Sequence, residues 1–329
     1  MEKIHLVIGG AGFIGNEVID FLVTDKRQIL CVDDDTSGNF VYTSNRFREY
    51  SNVKFYLGDI NAQATLDWVK EVIGNSPTTI WHLAANSDIK SGSTSPNLDA
   101  QKTFMSTVSV CNLMDLIEVD YVNFASTAAV YGESDSEFGF TENSVCNPIS
   151  YYGCAKLASE KFLEIKAKSR DIPLLIFRFA NIVGTPATHG VIFDLINKIR
   201  DNHQSLEVLG NGSQTKSYLH VENLVEMMSY LWLNNETGVF NLGPGDFGIT
   251  VREIAECLVN HLQIPIPIRF GVTARGWDGD AVRVLMDTSK IASKLSSTQS
   301  TSSHAIHRAL HDIANQLELP IKCPNVETL

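Results

Sequence analysis

The sequence predicts an α/β fold built on a doubly wound parallel sheet. Short β-branched runs alternate with helical stretches, the alternation repeats at the spacing of βαβ units, and a glycine-rich turn follows the first run. The predicted strands are Ile4 to Ile8, Ile29 to Val32, Val53 to Leu57, Thr79 to Leu83, Tyr121 to Phe124 and Leu174 to Phe179. The predicted helices between them include Leu66 to Ile73, Asn97 to Glu118 and Tyr151 to Ala167.

The pattern changes after Asn181, where the elements become shorter and Gly and Pro separate them. We therefore expect two domains. The sheet domain would comprise residues 1–181 and about 215–245, and a smaller, irregular α/β domain would comprise about 182–214 and 246–329. The tract Ser296 to Ser303 contains only Ser, Thr and Gln and is interpreted as a loop or a mobile linker.

The composition excludes several classes of partner. Lys and Arg number 26 against 38 Asp and Glu, for a net charge of −12, which argues against binding to nucleic acid or to an anionic membrane. No apolar run approaches the ~18 residues of a membrane span, and the N-terminus leads directly into the first strand, so we expect a soluble, cytoplasmic protein. The six cysteines form no Cys-x-x-Cys pair and no histidine has zinc-ligand spacing, so no metal site is expected.

The glycine-rich turn lies between the first strand and the first helix. Gly9 permits a tight turn, Gly12 lets the backbone approach a pyrophosphate, and Gly15 allows the helix to pack close to the strand. Phe13 and Ile14 begin the helix, whose N-terminus offers amide donors and a favourable dipole to an anion. The turn therefore predicts a dinucleotide site.

Two carboxylates follow the next strands. Asp33 ends the second strand, where it can accept hydrogen bonds from both ribose hydroxyls of an adenosine and would repel a 2′-phosphate, so NAD is favoured over NADP. Asp34 and Asp35 are interpreted as solvated loop residues. Asp59 closes the third strand and can accept the adenine amino group, with a helix N-cap as the alternative.

A phenol and an ammonium group form the candidate catalytic pair. Tyr152 and Lys156 lie at i and i+4, on one face of a helix that begins near Ser150. Lowering the tyrosine pKa from about 10 by about three would take roughly 4 kcal/mol, which a nearby Lys⁺ and a nicotinamide ring could supply. A hydroxyl of Ser126 or Thr127, at the end of the fifth strand, can share the substrate oxygen with Tyr152. All these groups fall at the carboxyl ends of strands, where doubly wound sheets bind ligands.

With these motifs the sequence resembles the extended short-chain dehydrogenases/reductases, in particular the NAD-dependent nucleotide-sugar epimerases and dehydratases, over nearly the whole chain. The matching segments are Gly9-Gly-Ala-Gly-Phe-Ile-Gly15, Asp33, Asp59, His82-Leu-Ala-Ala85, Ala125-Ser-Thr-Ala-Ala-Val-Tyr-Gly132, Tyr152-x-x-x-Lys156 and Arg178-Phe-Ala-Asn181. The resemblance implies a Rossmann domain whose NAD contacts also include Ile60, Leu83, Ala84 and Ala85. It places Thr127 at the catalytic Ser/Thr position, Tyr152 as the acid/base and Lys156 on the nicotinamide ribose.

Differences within this family favour one reaction. The 4,6-dehydratases carry Thr-Asp-Glu, whereas this chain has Ala128 and Ala129 after Thr127, and a methyl group cannot exchange protons. The run is most similar to that of the 4-epimerases, which implies a nucleotide-sugar 4-epimerase acting by transient C4 oxidation. The alternatives are an NAD-dependent nucleotide-sugar dehydrogenase or 4-ketoreductase, for example on a GDP-heptose or a deoxysugar nucleotide, and a non-catalytic NAD sensor. The intact Thr127, Tyr152 and Lys156 argue against the sensor.

The resemblance also implies a nucleotide diphosphate sugar as substrate. Asn181 would contact the sugar or diphosphate, and Arg275 the diphosphate, with a surface salt bridge as the alternative for Arg275. Lys216 stands where the family carries an Arg, and a point charge cannot make the same bidentate contact. Asp280 would accept ribose hydroxyls.

A loop after the fourth strand lies where the sugar ring is expected. Ser87 and Asp88 could bind sugar hydroxyls there, or Asp88 could cap the next turn. Helices near 97–118 and 151–167 resemble those that form a four-helix dimer interface in this family, so a homodimer is expected. The family also implies a role in polysaccharide biosynthesis.

Overall fold

The computed structural model describes residues 3–133, 139–202, 204–277, 280–295 and 300–318. Its strands are β1 (Ile4–Ile8), β2 (Gln28–Asp33), β3 (Val53–Leu57), β4 (Thr78–His82), β5 (Val119–Thr127), β6 (Leu174–Phe179), β7 (Asn181–Val183), β8 (Leu206–Val208), β9 (Thr215–Lys216), β10 (Tyr218–His220), β11 (Gly238–Leu242), β12 (Ile249–Thr250), β13 (Ile268–Phe270) and β14 (Arg283–Val284). Its α-helices are α1 (Phe13–Leu22), α2 (Phe40–Arg46), α3 (Gln63–Ile73), α4 (Ile89–Thr94), α5 (Pro96–Asp99), α6 (Ser106–Leu113), α7 (Tyr151–Ser169), α8 (Val191–Asp201), α9 (Val221–Leu233), α10 (Val251–Leu262), α11 (Ser289–Ala292) and α12 (Ser302–Gln316). A π-helix spans Ala100–Met105, and short 3₁₀ helices span Val23–Asp25 and Ala128–Val130.

The first of two compact units holds the main sheet. This unit contains the described parts of Met1–Val130, Ser150–Arg178 and Val225–Phe240. Its seven strands run in the order β11-β6-β5-β4-β1-β2-β3, and β1 pairs in parallel with both β2 and β4. The order reverses direction between β1 and β4, which is the point where doubly wound sheets bind ligands. The predicted α/β fold with a parallel sheet is confirmed.

Burial on both faces explains why these segments form strands. Every residue of β1 and β4 is buried, as expected for strands covered by helices on both sides. Leu6, Ile80 and Phe124 are fully buried in the core that the sheet shares with the helices beside it. Three strands, β1, β3 and β6, have the predicted bounds.

The predicted helix from Asn97 to Glu118 is confirmed in part, because the chain is helical without a break from Pro96 to Leu113 but contains a π-helix and ends five residues early. The segment is divided into α5, the π-helix and α6, which ends at Leu113. Hydroxyl groups explain the irregularity, because Ser106 and Thr107 both donate to the carbonyl of Thr103. Such bonds from side chain to backbone compete with regular helix geometry.

The described part of the second unit contains the helices α8, α10, α11 and α12 and several small sheets. It contains the described parts of Tyr131–Ile149, Phe179–Leu224 and Asn241–Leu329. Helices α8, α10 and α12 supply a separate core, which includes Leu195, Leu258 and Leu310. The domain boundaries expected from the sequence, at 181/182, 214/215 and 245/246, stay a prediction.

The Ser/Thr-rich tract falls partly in this second unit's last helix. Residues 296–299 lie outside the described residues. Ser302 and Ser303 form the first turn of α12, so the interpretation of the whole tract as a loop is wrong for these two. The reason is local, since the Thr301 side chain caps the helix by accepting the amide of His304. Within the part of the chain that the structure describes, no helix has both the length and the apolar character needed to cross a membrane.

Candidate functional site

The glycine turn adopts the geometry that its sequence predicts. Gly9 has a φ of 81°, and a Cβ on this residue would lie 2.6 Å from the Ala84 amide nitrogen. A Cβ on Gly15 would lie 2.3 Å from the Gly9 carbonyl oxygen. Gly12 is the N-cap of α1, so Phe13 and Ile14 begin the helix with amides that the helix itself does not satisfy. The turn therefore presents free backbone donors at the switch point of the sheet.

Asp33 ties the end of β2 to this turn. Its carboxylate accepts the Ala11 amide at 2.9 Å and the Asp35 amide at 2.8 Å. Burial raises the pKa of Asp33, while these two backbone hydrogen bonds oppose that effect. The predicted ribose ligand is thus only 8% exposed and already oriented by two backbone amides.

A lysine that the sequence did not single out joins two carboxylates of the adenosine region. The Lys102 ammonium lies 2.5 Å from Asp34 Oδ2 and 3.1 Å from Asp59 Oδ2. Burial alone would raise the pKa of Asp34, but the Lys102 and Thr36 hydrogen bonds lower it. The interpretation of Asp34 as a solvated loop residue is therefore wrong, because it forms an ion pair with Lys102.

The other predicted cofactor residues lie at the carboxyl ends of β3 and β4. Ile60 is buried, and the amides of Leu83 and Ala84 both donate to the Ile8 carbonyl at 2.9 Å, beside the partly exposed Ala85. Asp59 is not a helix N-cap, since α3 is capped at Ala62 and the Asp59 side chain instead accepts the Asn61 amide. The N-cap alternative for Asp59 is thus excluded.

Thr127, Tyr152 and Lys156 lie together. Thr127 is the last residue of β5, where its hydroxyl accepts the Ala129 amide at 3.2 Å, and it acts to lower the pKa of Tyr152, which lies in the first turn of α7. The helix starts where it does because the Ser150 side chain accepts the Gly153 amide. Lys156, one turn further on, is 2% exposed, and its ammonium nitrogen lies 5.9 Å from the centre of the Tyr152 ring.

The protein's own groups raise the pKa of Tyr152: burial raises it most, the charge of Asp99 raises it further, and Thr127 opposes both. The expected lowering of this pKa by Lys156 and a nicotinamide ring together stays a prediction. Burial also lowers the pKa of Lys156 to about 7, against the opposing charge of Glu160. A buried ammonium that is easily deprotonated is a weak source of positive charge.

Buried polar groups behind this pair fix its position. Lys156 donates to the Ala125 carbonyl at 2.6 Å. Glu160, one turn further along α7, accepts a hydrogen bond from the Ser126 hydroxyl and two from Arg178, at 3.0 and 2.7 Å. The two adjacent hydroxyls therefore have different surroundings: Ser126 donates to Glu160, whereas Thr127 accepts the Ala129 amide and influences the pKa of Tyr152.

The loop after β4 is held by Asp99. The Asn86 side-chain amide donates to Asp99 Oδ1 at 2.9 Å, and the Asn86 backbone amide donates to Thr103 at 3.0 Å. Asp88 caps α4 by accepting the Ser91 amide at 3.0 Å, so the capping role is observed. Ser87 is exposed at the tip of this loop.

The predicted substrate residues of the second unit form two linked ion pairs. Lys216 lies 2.6 Å from Asp280 Oδ1, and Arg275 lies 2.6 Å from Glu133 Oε2. Arg275 also donates to the Asp280 carbonyl at 2.6 Å. The salt-bridge alternative for Arg275 is thus observed, with a partner that the sequence did not indicate. Asn181 lies at the start of β7, exposed, with its side-chain amide donating to the Ser217 carbonyl.

Comparisons with known proteins connect these features to a family. The chain matches the model of the NAD dependent epimerase/dehydratase family over residues 5–243. A UDP-glucose 4-epimerase of Lactobacillus helveticus is 28% identical over 298 residues, which cover 84% of this chain and 87% of that protein.

Solved structures give the same result. UDP-glucose 4-epimerase from Thermotoga maritima, crystallised with UDP-glucose, has a TM-score of 0.82 at 25% identity, covering 95% of this chain and 99% of that one. UDP-glucuronic acid 4-epimerase from Bacillus cereus, in complex with UDP-glucuronic acid and NAD, has a TM-score of 0.82 over 96% of this chain and 99% of that one. At 22% identity the second likeness shows the fold alone.

Proposed function

Because the chain belongs to the NAD-dependent epimerase/dehydratase family, we propose that it is a nucleotide-sugar 4-epimerase acting through transient oxidation at C4. NAD is the cofactor. The glycine turn fits a pyrophosphate, because α1 itself leaves its first amides unsatisfied and, among the described residues, a Cβ at Gly12 would meet only the Gly9 carbonyl oxygen, at 3.3 Å. When bound, NAD supplies a hydride acceptor that can return the hydride.

The observation that carries the proposal is that the Thr127 hydroxyl, the Tyr152 phenol and the buried Lys156 ammonium lie in one place, with Thr127 near enough to lower the Tyr152 pKa and Lys156 5.9 Å from the centre of the Tyr152 ring. In the proposed reaction, Tyr152 takes the proton of the C4 hydroxyl as hydride leaves the same carbon. Thr127 orients that hydroxyl by sharing its oxygen. Tyr152 then returns the proton when hydride is added to the other face of the ketone. Acid and base are therefore one residue.

The raised pKa of Tyr152 places a requirement on this mechanism. A buried phenol keeps its proton near neutral pH unless positive charge enters the site. The oxidised nicotinamide ring carries such a charge, so we expect proton removal to depend on the oxidised cofactor. This coupling would prevent Tyr152 from acting as a base before hydride can be accepted.

Ala128 and Ala129 support epimerisation over dehydration. They follow Thr127 in a short 3₁₀ helix, and neither methyl group can remove or donate a proton. Elimination of water from the sugar ring needs such an acid/base pair. The chain therefore lacks, at these two positions, the groups that dehydration requires.

We propose a nucleotide diphosphate sugar as substrate, bound by Lys216 and Arg275. Asp280 and Glu133 already neutralise these cations, so the diphosphate would have to replace a carboxylate or join the existing pairs. UDP-sugars are the first candidates because two of the proteins compared above are named UDP-glucose 4-epimerase. Asn181 and Ser87 would contact the sugar, and Asp280 the ribose.

The test is incubation of the NAD-loaded protein with UDP-, GDP-, dTDP- and CDP-sugars. Product is followed by NMR, and reduced cofactor by its absorbance. Inversion at C4 without accumulation of NADH supports the epimerase. Stoichiometric NADH without an inverted sugar would instead favour the alternative, a nucleotide-sugar dehydrogenase, and consumption of NADH by a keto-sugar would favour a 4-ketoreductase.

We further propose that the protein is a cytoplasmic homodimer. Apolar side chains are exposed on α7 and on the neighbouring π-helix, among them Phe162 at 46%, Ile165 at 70% and Met105 at 37%. Pairing of these helices between two copies would bury this apolar surface, whose exposure to water is unfavourable. Light scattering of the wild-type protein and of Ile165→Glu tests this assignment, since the charge should produce a monomer.

A further inference from the structure

Asp99 is a buried carboxylate for which the proposed mechanism has no role so far. It ends α5, immediately before the π-helix, and is 1% exposed. Its Oδ1 accepts the Asn86 side-chain amide, whereas its Oδ2 has no hydrogen-bond partner among the described residues. Burying a carboxylate oxygen without a partner is costly, so the residue requires an explanation beyond packing.

The surrounding backbone is shaped to accept this carboxylate. Gly92 of α4 lies against it, and a Cβ at that position would come 2.2 Å from Asp99 Oδ2. Helices α4 and α5 both pack against α7, the helix that carries Tyr152. π-Helical turns within α-helices occur frequently at functional sites. The carboxylate is thus enclosed between helices that pack against the helix of the candidate acid/base.

The charge of Asp99 acts on Tyr152. Burial, and then the charge of Asp99, raise the pKa of the phenol. Burial also raises the pKa of Asp99, with the Asn86 hydrogen bond opposing that effect and the charge of Asp88 adding to it. Other titratable groups on α7 and on the elements packed around it include Lys156, Glu160, His82, Lys90 and Lys102, and α7 also carries Tyr151, Cys154, Lys161, Glu164, Lys166 and Lys168. His82 is neutral because burial, and then the charge of Lys156, lower its pKa to about 3. Glu160 is paired with Arg178, and Lys102 with Asp34 and Asp59.

We propose that Asp99 is a positioning residue for Tyr152, an inference that rests on the proposed function. Asp99 holds the Asn86 loop beside the phenol, and it keeps the phenol's proton in place until a positive charge enters the site. Two contributions follow. The bond to Asn86 fixes the segment that leads to Ser87, where the sugar is expected. The buried negative charge opposes a second negative charge on Tyr152 at any pH at which Asp99 is ionised.

The decisive variant is Asp99→Asn, which keeps an acceptor for the Asn86 amide but removes the charge. Since Asp99 raises the pKa of Tyr152, its loss must lower that pKa. The acid limb of the kcat profile should therefore move to lower pH by about one unit, with KM changed by less than about threefold. Asp67→Asn, which removes an exposed carboxylate on α3, is the matched control and should leave the profile unchanged.

A second readout does not depend on turnover. In NAD-loaded protein labelled with ¹³C at the tyrosine Cζ, the Tyr152 resonance is assigned by its loss in Tyr152→Phe. Its titration should shift to lower pH in Asp99→Asn and not in Asp67→Asn. This result would support the role of Asp99 even if no sugar were epimerised, so failure of the proposed function and failure of this inference are distinguishable.

Asn86→Ala separates the two contributions. It removes the hydrogen bond and keeps the charge, so KM should rise severalfold while the acid limb stays in place. The proposal would be overturned if, in Asp99→Asn, neither the acid limb of the kcat profile nor the titration of the Tyr152 resonance moved. If circular dichroism shows that Asp99→Asn does not fold, Asp99→Ser replaces it, because serine is smaller and also neutral. The same shifts of the acid limb and of the Tyr152 titration are expected for that variant.

Discussion

Lys156 donates a hydrogen bond from its ammonium group to the carbonyl oxygen of Ala125, at a distance of 2.6 Å. This bond fastens the catalytic helix α7 to β5 two residues before Thr127. Lys156 is also enclosed by aromatic surface, with its nitrogen 4.9 Å from the centre of the Phe124 ring. The lysine therefore has a structural role in addition to any contact with the cofactor.

The first prediction concerns pH and stability. The folded pKa of Lys156 is about 7, lower than its ordinary value of 10.5 because the side chain is buried. Between these two pH values the unfolded chain binds a proton that the folded chain does not. The free energy of unfolding of the wild type, relative to Lys156→Met, should therefore rise with pH above about 7, by up to about 1.4 kcal/mol per pH unit.

Urea unfolding of both proteins between pH 7 and 9.5 measures this difference. Lys161→Met removes a lysine that is exposed on the same helix, and its difference from the wild type should not change with pH in this way. A difference for Lys156→Met that stays flat across the range would show that the buried ammonium keeps its proton.

The second prediction concerns the buried ion pair behind the site. Glu160 is fully buried, Arg178 is 4% exposed, and two hydrogen bonds join them. Glu160→Ala should lower the free energy of unfolding by about 3–5 kcal/mol, because it leaves a guanidinium buried without its counter-charge. Glu164→Ala, which breaks the exposed pair with Lys161, should cost less than about 1 kcal/mol. Equal losses in the two variants would contradict the account of the buried pair.

The third prediction concerns the substrate's diphosphate. If Lys216 and Arg275 bind it, loss of either charge should raise KM by roughly 10–100-fold, the equivalent of about 1.5–3 kcal/mol for one charge-assisted hydrogen bond. Lys216→Met and Arg275→Met are compared with Lys168→Met, which removes an exposed lysine at the end of α7. Steady-state kinetics with the best sugar nucleotide supplies the values. If the KM of Arg275→Met were no higher than that of Lys168→Met, Arg275 would not bind the diphosphate, and its role would be the ion pair with Glu133.

Features that depend on neighbouring residues could be predicted from the sequence. The turn at Gly9 follows from one strand, one helix and the glycines between them. Likewise, the spacing of Tyr152 and Lys156 places both on one helix face, and burial of whole strands is visible in their apolar runs. These signals required no knowledge of which distant segments meet.

Pairs that join distant segments could not be predicted. Lys102 meets Asp34 and Asp59 only because the π-helix carries it to the ends of β2 and β3. Glu133 forms an ion pair with Arg275, which lies more than a hundred residues later in the sequence. The sequence also contained no signal for the irregular helix around Asp99, since hydroxyl bonds to the backbone decide its form. The carboxylates and cations were visible in the sequence, but their partners were set by tertiary packing.

The central claim is that Tyr152 moves the proton in a 4-epimerase. The most direct measurement is NMR of NAD-loaded protein incubated with a sugar nucleotide, beginning with UDP-glucose, for the wild type and for Tyr152→Phe. The account predicts conversion to the C4 epimer by the wild type, no accumulation of NADH, and a loss of at least about a hundredfold in kcat for Tyr152→Phe, since positioned acid/base groups contribute that much. Turnover by Tyr152→Phe at the wild-type rate would contradict it.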